Sequence, residues 1–154
     1  MKRLAIGSLI LAICVTNAAS PTPCSSPEHR QFDFWIGEWQ VHKPDGTLAG
    51  INRISREYGG CVIHERYAAA KGYNGESLNI FDAGRKVWHQ TWVDVDGLLL
   101  TLEGRWDGKN MVLEGMKQRV TWTPDAEGGV RQLWEASDGK GGWTVVFDGR
   151  YTKK

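Results

Sequence analysis

Short runs in which polar and apolar residues alternate dominate the chain from residue 37 onward. Most runs are followed by a turn sequence, such as Asp45-Gly46 or Asp96-Gly97, whose residues tolerate the positive φ angles of tight hairpins. No segment longer than ten residues has the 3.6-residue period of a helix. The pattern predicts ten strands, at residues 37–43, 48–58, 61–70, 77–82, 86–94, 98–106, 110–116, 118–123, 130–136 and 143–152.

Many short strands joined by short connections predict an all-β fold, either a sandwich or a barrel. Connections of this length leave little room for the crossovers of a sandwich. Closure into a barrel also removes the sheet edges that so many strands would otherwise expose. We therefore predict an antiparallel up-and-down β-barrel of eight to ten strands, formed by residues 31–154 as one domain.

Several predicted strands place aromatic and polar side chains on the same face. Trp88, Gln90 and Trp92 alternate along one strand, and Glu65 and Tyr67 lie two residues apart on another. This mixture suits a barrel lumen that holds a ligand and some water. It also fits cross-strand pairs on a solvated outer wall. Both interpretations stay open, because a shift of one residue exchanges the two faces of a strand.

We favour the lumen, because eight tryptophans in 154 residues provide unusually large aromatic walls. The predicted ligand is a small hydrophobic, amphipathic or aromatic molecule of drug-like size, bound by apolar contact and oriented by a few polar groups. The predicted ligand-binding residues are Glu65, Tyr67, Asn79, Trp88, Gln90, Trp92, Arg131 and Trp134.

The first 19 residues have the organisation of a cleaved secretory signal peptide. Lys2 and Arg3 precede an apolar run over residues 4–15, which is too short to span a bilayer, and small residues follow it. An alternative is a lipid-attachment box ending at Cys14, although such boxes need a small residue where this chain has Ile13. We predict a soluble periplasmic or secreted protein without a transmembrane segment.

Residues 20–30 contain three prolines and three serines, and they predict an extended tether between the signal peptide and the barrel. Cys24 in this tether and Cys61 are the cysteines that remain after signal cleavage. Because exported proteins meet an oxidising compartment, we predict a disulfide between them. Two free thiols are the alternative.

The segment Gly37-Glu38-Trp39 resembles the Gly-x-Trp signature on the first strand of lipocalins and related calycins. This resemblance implies that Trp39 closes one end of the barrel. It also implies that an arginine from the last strand packs across this tryptophan, and Arg150 stands at about the right place.

Longer segments, at residues 32–39, 59–65, 92–94 and 130–135, resemble an uncharacterised family of small exported bacterial proteins. This resemblance implies the barrel fold and the compartment. Nitrobindin-like haem barrels also begin with a Gly-x-Trp strand, but they bind haem through a histidine late in the chain. The last histidine here is His89, so we expect neither haem nor another cofactor.

Other chemistries have weaker signals. A net charge of +1 and the lack of a basic stripe argue against nucleic-acid binding. No two histidines have helical metal-site spacing, and we predict no metal, although His64 and His89 could meet across strands. An isomerase or hydrolase that uses a lumen carboxylate such as Glu65 or Asp94 is the alternative to a non-enzymatic binding protein. A filled barrel that acts through its surface is a third possibility.

Overall fold

The structure, a computed structural model, describes residues 22–154. The predicted signal peptide at residues 1–19 and the lipid-box alternative at Cys14 lie outside the described residues. In the part of the chain that is described, no helix has the length and apolar character needed to cross a membrane.

Ten antiparallel strands form a closed up-and-down barrel, as predicted, in which each strand pairs with its chain neighbours and the first pairs with the last. The strands are β1 (Gly37–His42), β2 (Leu48–Glu57), β3 (Val62–Ala69), β4 (Asn74–Asp82), β5 (Val87–Asp94), β6 (Leu99–Trp106), β7 (Met111–Gly115), β8 (Gln118–Pro124), β9 (Val130–Ser137) and β10 (Trp143–Lys153). Short 3-10 helices cover Pro27–Arg30, Asp33–Trp35 and Tyr58–Gly60.

The start of β4 differs from its predicted position by three residues. The Asn74-Gly75 pair has the composition of a hairpin turn but belongs to the strand, and Gly72, with φ of +90°, lies in the turn instead. A side chain at position 75 would meet the indole of Trp92 at 2.2 Å. Gly75 is therefore a strand residue whose missing side chain leaves room for an aromatic ring inside the barrel.

An aromatic plug closes one end of the barrel. Phe32, which precedes the second 3-10 helix, and Trp35, which ends it, are both fully buried, and their rings stack with centroids 4.9 Å apart. The Trp35 ring also lies 5.3 Å from that of Trp122 on β8. The indole N–H of Trp39 donates to the carbonyl oxygen of Trp35 at 2.8 Å, which fixes the plug to the first strand.

The predicted disulfide is present and fastens the chain that leads into this plug. Cys24 and Cys61 are joined with their Cα atoms 5.0 Å apart, so the N-terminal segment is fixed to the turn between β2 and β3. The guanidinium of Arg30 spans the same junction and donates to the carbonyl oxygens of Cys24 at 2.6 Å and Gly60 at 2.8 Å.

Candidate functional site

The barrel interior contains a cavity of about 190 Å³. It lies at the end opposite to the plug, where the β3–β4, β5–β6 and β9–β10 connections meet. The wall consists of six aromatic, three aliphatic and three polar side chains: Tyr67, Tyr73, Trp92, Trp134, Phe147 and Tyr151; Leu100, Val120 and Val146; and Glu65, Gln90 and Gln132.

The volume limits the size of any ligand. Pockets for drug-sized molecules usually have volumes of roughly 300–1,000 Å³, whereas a cavity of about 150 Å³ is sufficient for a benzene ring. The cavity therefore fits a molecule with one ring or a short branched chain, which is smaller than the drug-like ligand that the sequence predicts.

An irregularity in β10 shapes the mouth of the cavity. The pairing of β10 with β9 shifts between Val145 and Phe147, so Val146 is an extra residue at a β-bulge. Both Val146 and Phe147 line the cavity, although consecutive strand residues normally point to opposite faces. Val146 is 50% exposed, which places it where the cavity meets the solvent.

Glu65 lies at the inner end of the cavity and is only 3% exposed. Its carboxylate accepts hydrogen bonds from the Asn52 side-chain amide at 2.7 Å and from the Ser77 hydroxyl at 2.6 Å. Burial raises the pKa of Glu65 to about 7, although these two hydrogen bonds favour the ionised form. Because both partners are neutral, the negative charge of an ionised Glu65 is not compensated by them.

Further polar groups hold this carboxylate in position. Ser77 accepts hydrogen bonds from the amide nitrogens of Asn79 at 2.9 Å and Gln90 at 3.3 Å, so its own hydroxyl proton is directed at Glu65. On the other side, the Asn52 amide nitrogen also donates to the phenolic oxygen of Tyr151 at 3.2 Å. The buried Asn52 side-chain oxygen has no hydrogen-bond partner among the described residues.

The aromatic groups near the mouth are anchored through their polar edges. The Tyr73 hydroxyl and the Trp92 indole N–H both donate to Asp94, at 2.7 and 3.1 Å, and the Trp134 indole N–H donates to Gln118 at 2.7 Å. Since these donors are satisfied, the rings offer mainly apolar surface to a ligand. Burial acts to raise the pKa of Asp94, but the hydrogen bonds outweigh it and the pKa is lowered.

The predicted ligand-binding residues fall into two groups. Glu65, Tyr67, Gln90, Trp92 and Trp134 all line the cavity. The other three, Asn79, Trp88 and Arg131, do not.

Asn79 supports the cavity from behind, because it bonds to Ser77 and Gln90. Trp88 belongs to the plug end of the core, with its ring centroid 5.6 Å from that of Phe32.

Arg131 lies outside the barrel, where its guanidinium bonds to both carboxylate oxygens of Asp148 at 2.9 and 2.7 Å. The reason is the alternation of β9. Gln132 and Trp134 point inward, so Arg131 between Val130 and Gln132 must point outward. The same alternation provides the signal that would have identified Gln132 as a lining residue, two positions before Trp134.

The two residues expected to close the barrel, Trp39 and Arg150, lie on opposite faces of the barrel wall. Trp39 is fully buried there, with its ring centroid 6.2 Å from that of Tyr151. Arg150 points outward and binds Asp125 at 3.0 Å, because its neighbour Tyr151 occupies the inward position. The cation that approaches Trp39 is the Lys153 ammonium group, 5.4 Å from the ring centroid.

The two histidines considered as metal ligands lie in outer-wall pairs. His64 contacts Glu57 and Glu76 at 3.2 and 2.7 Å, and His89 contacts Glu103 at 2.9 Å. Within residues 22–154, no group of three histidine, cysteine or acidic side chains is arranged to hold a metal ion.

No protein-family model matches the chain, and neither does any curated protein. The chemistry of the cavity is therefore the basis for a functional proposal.

Glu65 should make stability depend on pH. Between about pH 4.5 and pH 7 the folded protein keeps the Glu65 proton while the unfolded chain loses it, so stability falls as pH rises through this range. Replacing Glu65 by glutamine removes this decrease in stability. The free energy of unfolding of the variant, relative to that of the wild type, should therefore rise by about 3 kcal/mol across the range. Urea unfolding at a series of pH values measures the difference. Glu38→Gln, on the outer wall, is the control, and identical pH profiles for wild type and Glu65→Gln would contradict the expectation.

Proposed function

We propose that this protein binds a small molecule, of about one ring in size, in the cavity opposite to the plug. The observation that carries the proposal is the composition of the cavity wall: six aromatic rings surround a floor of three polar groups, Glu65, Gln90 and Gln132. Apolar walls give affinity, while a few positioned polar groups select orientation, which is the usual organisation of a ligand site.

The alternative of a filled barrel is less well supported. At the plug end the aromatic side chains of Phe32, Trp35 and Trp122 are fully buried, whereas the same residue types at the other end surround about 190 Å³ of free space. Maintaining a buried carboxylate beside such a space opposes folding at neutral pH, because burial disfavours the charged form. A site that uses Glu65 to contact a ligand offers a reason for keeping it.

Export is part of the proposal. The disulfide between Cys24 and Cys61 is typical of oxidising compartments, which supports a periplasmic or secreted protein. The ligand would then be a molecule met outside the cytoplasm.

Trp92 provides a direct test, because its indole forms part of the cavity wall. A library of single-ring fragments, screened by ligand-observed NMR, should give hits with the wild-type protein. Trp92→Ala should weaken these hits about tenfold or more, since it removes apolar contact and enlarges the cavity. Trp106→Ala is the matched control, because Trp106 is also half-buried but packs on Phe34 near the plug. No hits, or equal effects of the two variants, would refute the proposal.

One observation favours a second candidate, an isomerase or hydrolase. A carboxyl group with a pKa of about 7 exchanges protons near neutral pH, as a general acid or base must. This applies to Glu65 but not to Asp94, whose pKa is lowered. The NMR screen distinguishes the candidates, because turnover would change a fragment's spectrum with time, and Glu65→Gln would abolish that change.

A further inference from the structure

We propose that the cavity selects a small organic ammonium ion, with its charged nitrogen beside Glu65 and its hydrocarbon part against the aromatic wall. This inference rests on the proposed function and specifies the chemical class of its ligand. Three independent features of the cavity support it: its charge, its aromatic faces and the free acceptor oxygen of Gln90.

The charge of the cavity is negative. Among residues 22–154, Glu65 is the charged residue in the cavity wall, and no lysine, arginine or histidine lines it. Asp94 adds a second carboxylate near the mouth, bonded to Tyr73 and Trp92. A buried carboxylate is costly unless it gains a proton or a counter-ion. Within residues 22–154 the hydrogen-bond partners of Glu65 are Asn52 and Ser77, which are neutral, so a ligand cation would complete the pairing.

The aromatic wall adds to the attraction for a cation. The faces of tryptophan, tyrosine and phenylalanine rings carry partial negative charge and attract ammonium groups, most strongly where water is excluded. Tyr67 and Tyr151 stay neutral at physiological pH, because burial and the nearby Glu65 charge raise their pKa values. These neutral rings therefore favour a cation, and they do not take up or release a proton where Glu65 titrates.

The floor also has an acceptor for an N–H group of an ammonium ion. Gln90 lines the cavity and donates through its amide nitrogen to Ser77 and Asn79, which leaves its side-chain oxygen for another donor. An anion would face this oxygen and Glu65 together, so the arrangement should reject carboxylates and phosphates.

Three single-ring probes of nearly equal size separate the possibilities: benzylammonium, benzyl alcohol and benzoate. Titration calorimetry at about pH 8, where Glu65 is ionised, should show benzylammonium binding roughly 10–100-fold more tightly than benzyl alcohol, as expected for a charged hydrogen bond. Benzoate should bind more weakly than the alcohol. Glu65→Gln should remove most of the preference of the cavity for benzylammonium over benzyl alcohol.

Lowering the pH gives a second test. Protonation of Glu65 near about pH 6 should weaken benzylammonium but not benzyl alcohol. The other titratable groups of the cavity are Tyr67, Tyr73 and Tyr151, whose raised pKa values keep them neutral throughout, and Asp94 at the mouth, whose lowered pKa keeps it ionised. His64, next in sequence, lies on the outer face, and Glu76→Gln, which changes its partner, controls for it.

The outcomes distinguish this inference from the proposed function. If benzyl alcohol or benzoate binds as tightly as benzylammonium, or if Glu65→Gln keeps the full preference, the ligand class is wrong while the binding site stands. If none of the probes binds, and the fragment screen also gives no hits, both proposals fail.

Discussion

Replacing Trp35 by alanine is expected to lower the free energy of unfolding by about 3–5 kcal/mol. Trp35 is fully buried in the plug, and its ring lies 4.9 Å from Phe32 and 5.3 Å from Trp122, measured between centroids. Truncation removes these contacts and leaves a cavity at the closed end that the rigid strand walls cannot fill. Urea unfolding followed by circular dichroism measures the loss.

Trp143→Ala is the matched control for Trp35→Ala, because both variants remove one indole. Trp143 is 36% exposed at the start of β10 and packs on the guanidinium of Arg119, 4.3 Å from the ring centroid. Its loss should cost about 1 kcal/mol or less. Equal losses from the two variants would mean that the plug does not contribute to stability as its burial indicates. Ligand binding should survive in folded Trp35→Ala, because the cavity lies at the other end.

Sequence alternation was sufficient to predict the barrel. Ten runs of strand length separated by turn residues leave few folds other than a closed antiparallel sheet, and nine of the ten strands begin within one residue of their predicted positions. The exception, β4, shows the limit of turn signals. Asn74-Gly75 has the composition of a hairpin turn, but Gly75 is a strand residue. Glycine is needed there because the Trp92 ring occupies the space that a side chain would take.

The site was harder to predict, because it depends on which face of each strand points inward. A strand that carries Glu65 and Tyr67 on one face and His64 and Arg66 on the other has polar groups on both faces. Arg131 shows that a shift of one position along a strand decides whether a side chain faces the lumen or the outer wall. Because alternate residues share a face, counting back two positions from Trp134 along β9 would have selected Gln132 instead.

The size of the cavity could not be predicted from alternation at all. It depends on how far the plug extends into the barrel, and on the bulge at Val146 that turns two successive side chains toward the mouth. It also depends on the bonds that hold Asn52 and Ser77 against Glu65, which join β2, β3 and β4. These are contacts between strands, and they become visible only when the register of each strand is known.

Removing the disulfide should lower the free energy of unfolding by about 4 kcal/mol, because Cys24 and Cys61 are 37 residues apart and the bridge restricts the unfolded chain. Dithiothreitol should lower the urea midpoint of the wild type accordingly and leave the urea midpoint of the double variant Cys24→Ser/Cys61→Ser unchanged. The reduced protein should stay folded, since Arg30 still joins the same two segments through Cys24 and Gly60. Adding Arg30→Ala to the double variant should therefore release the plug further, whereas benzylammonium binding at the far end should survive reduction. A midpoint that does not respond to reductant would show that the bridge adds nothing that Arg30 and the aromatic plug do not already provide.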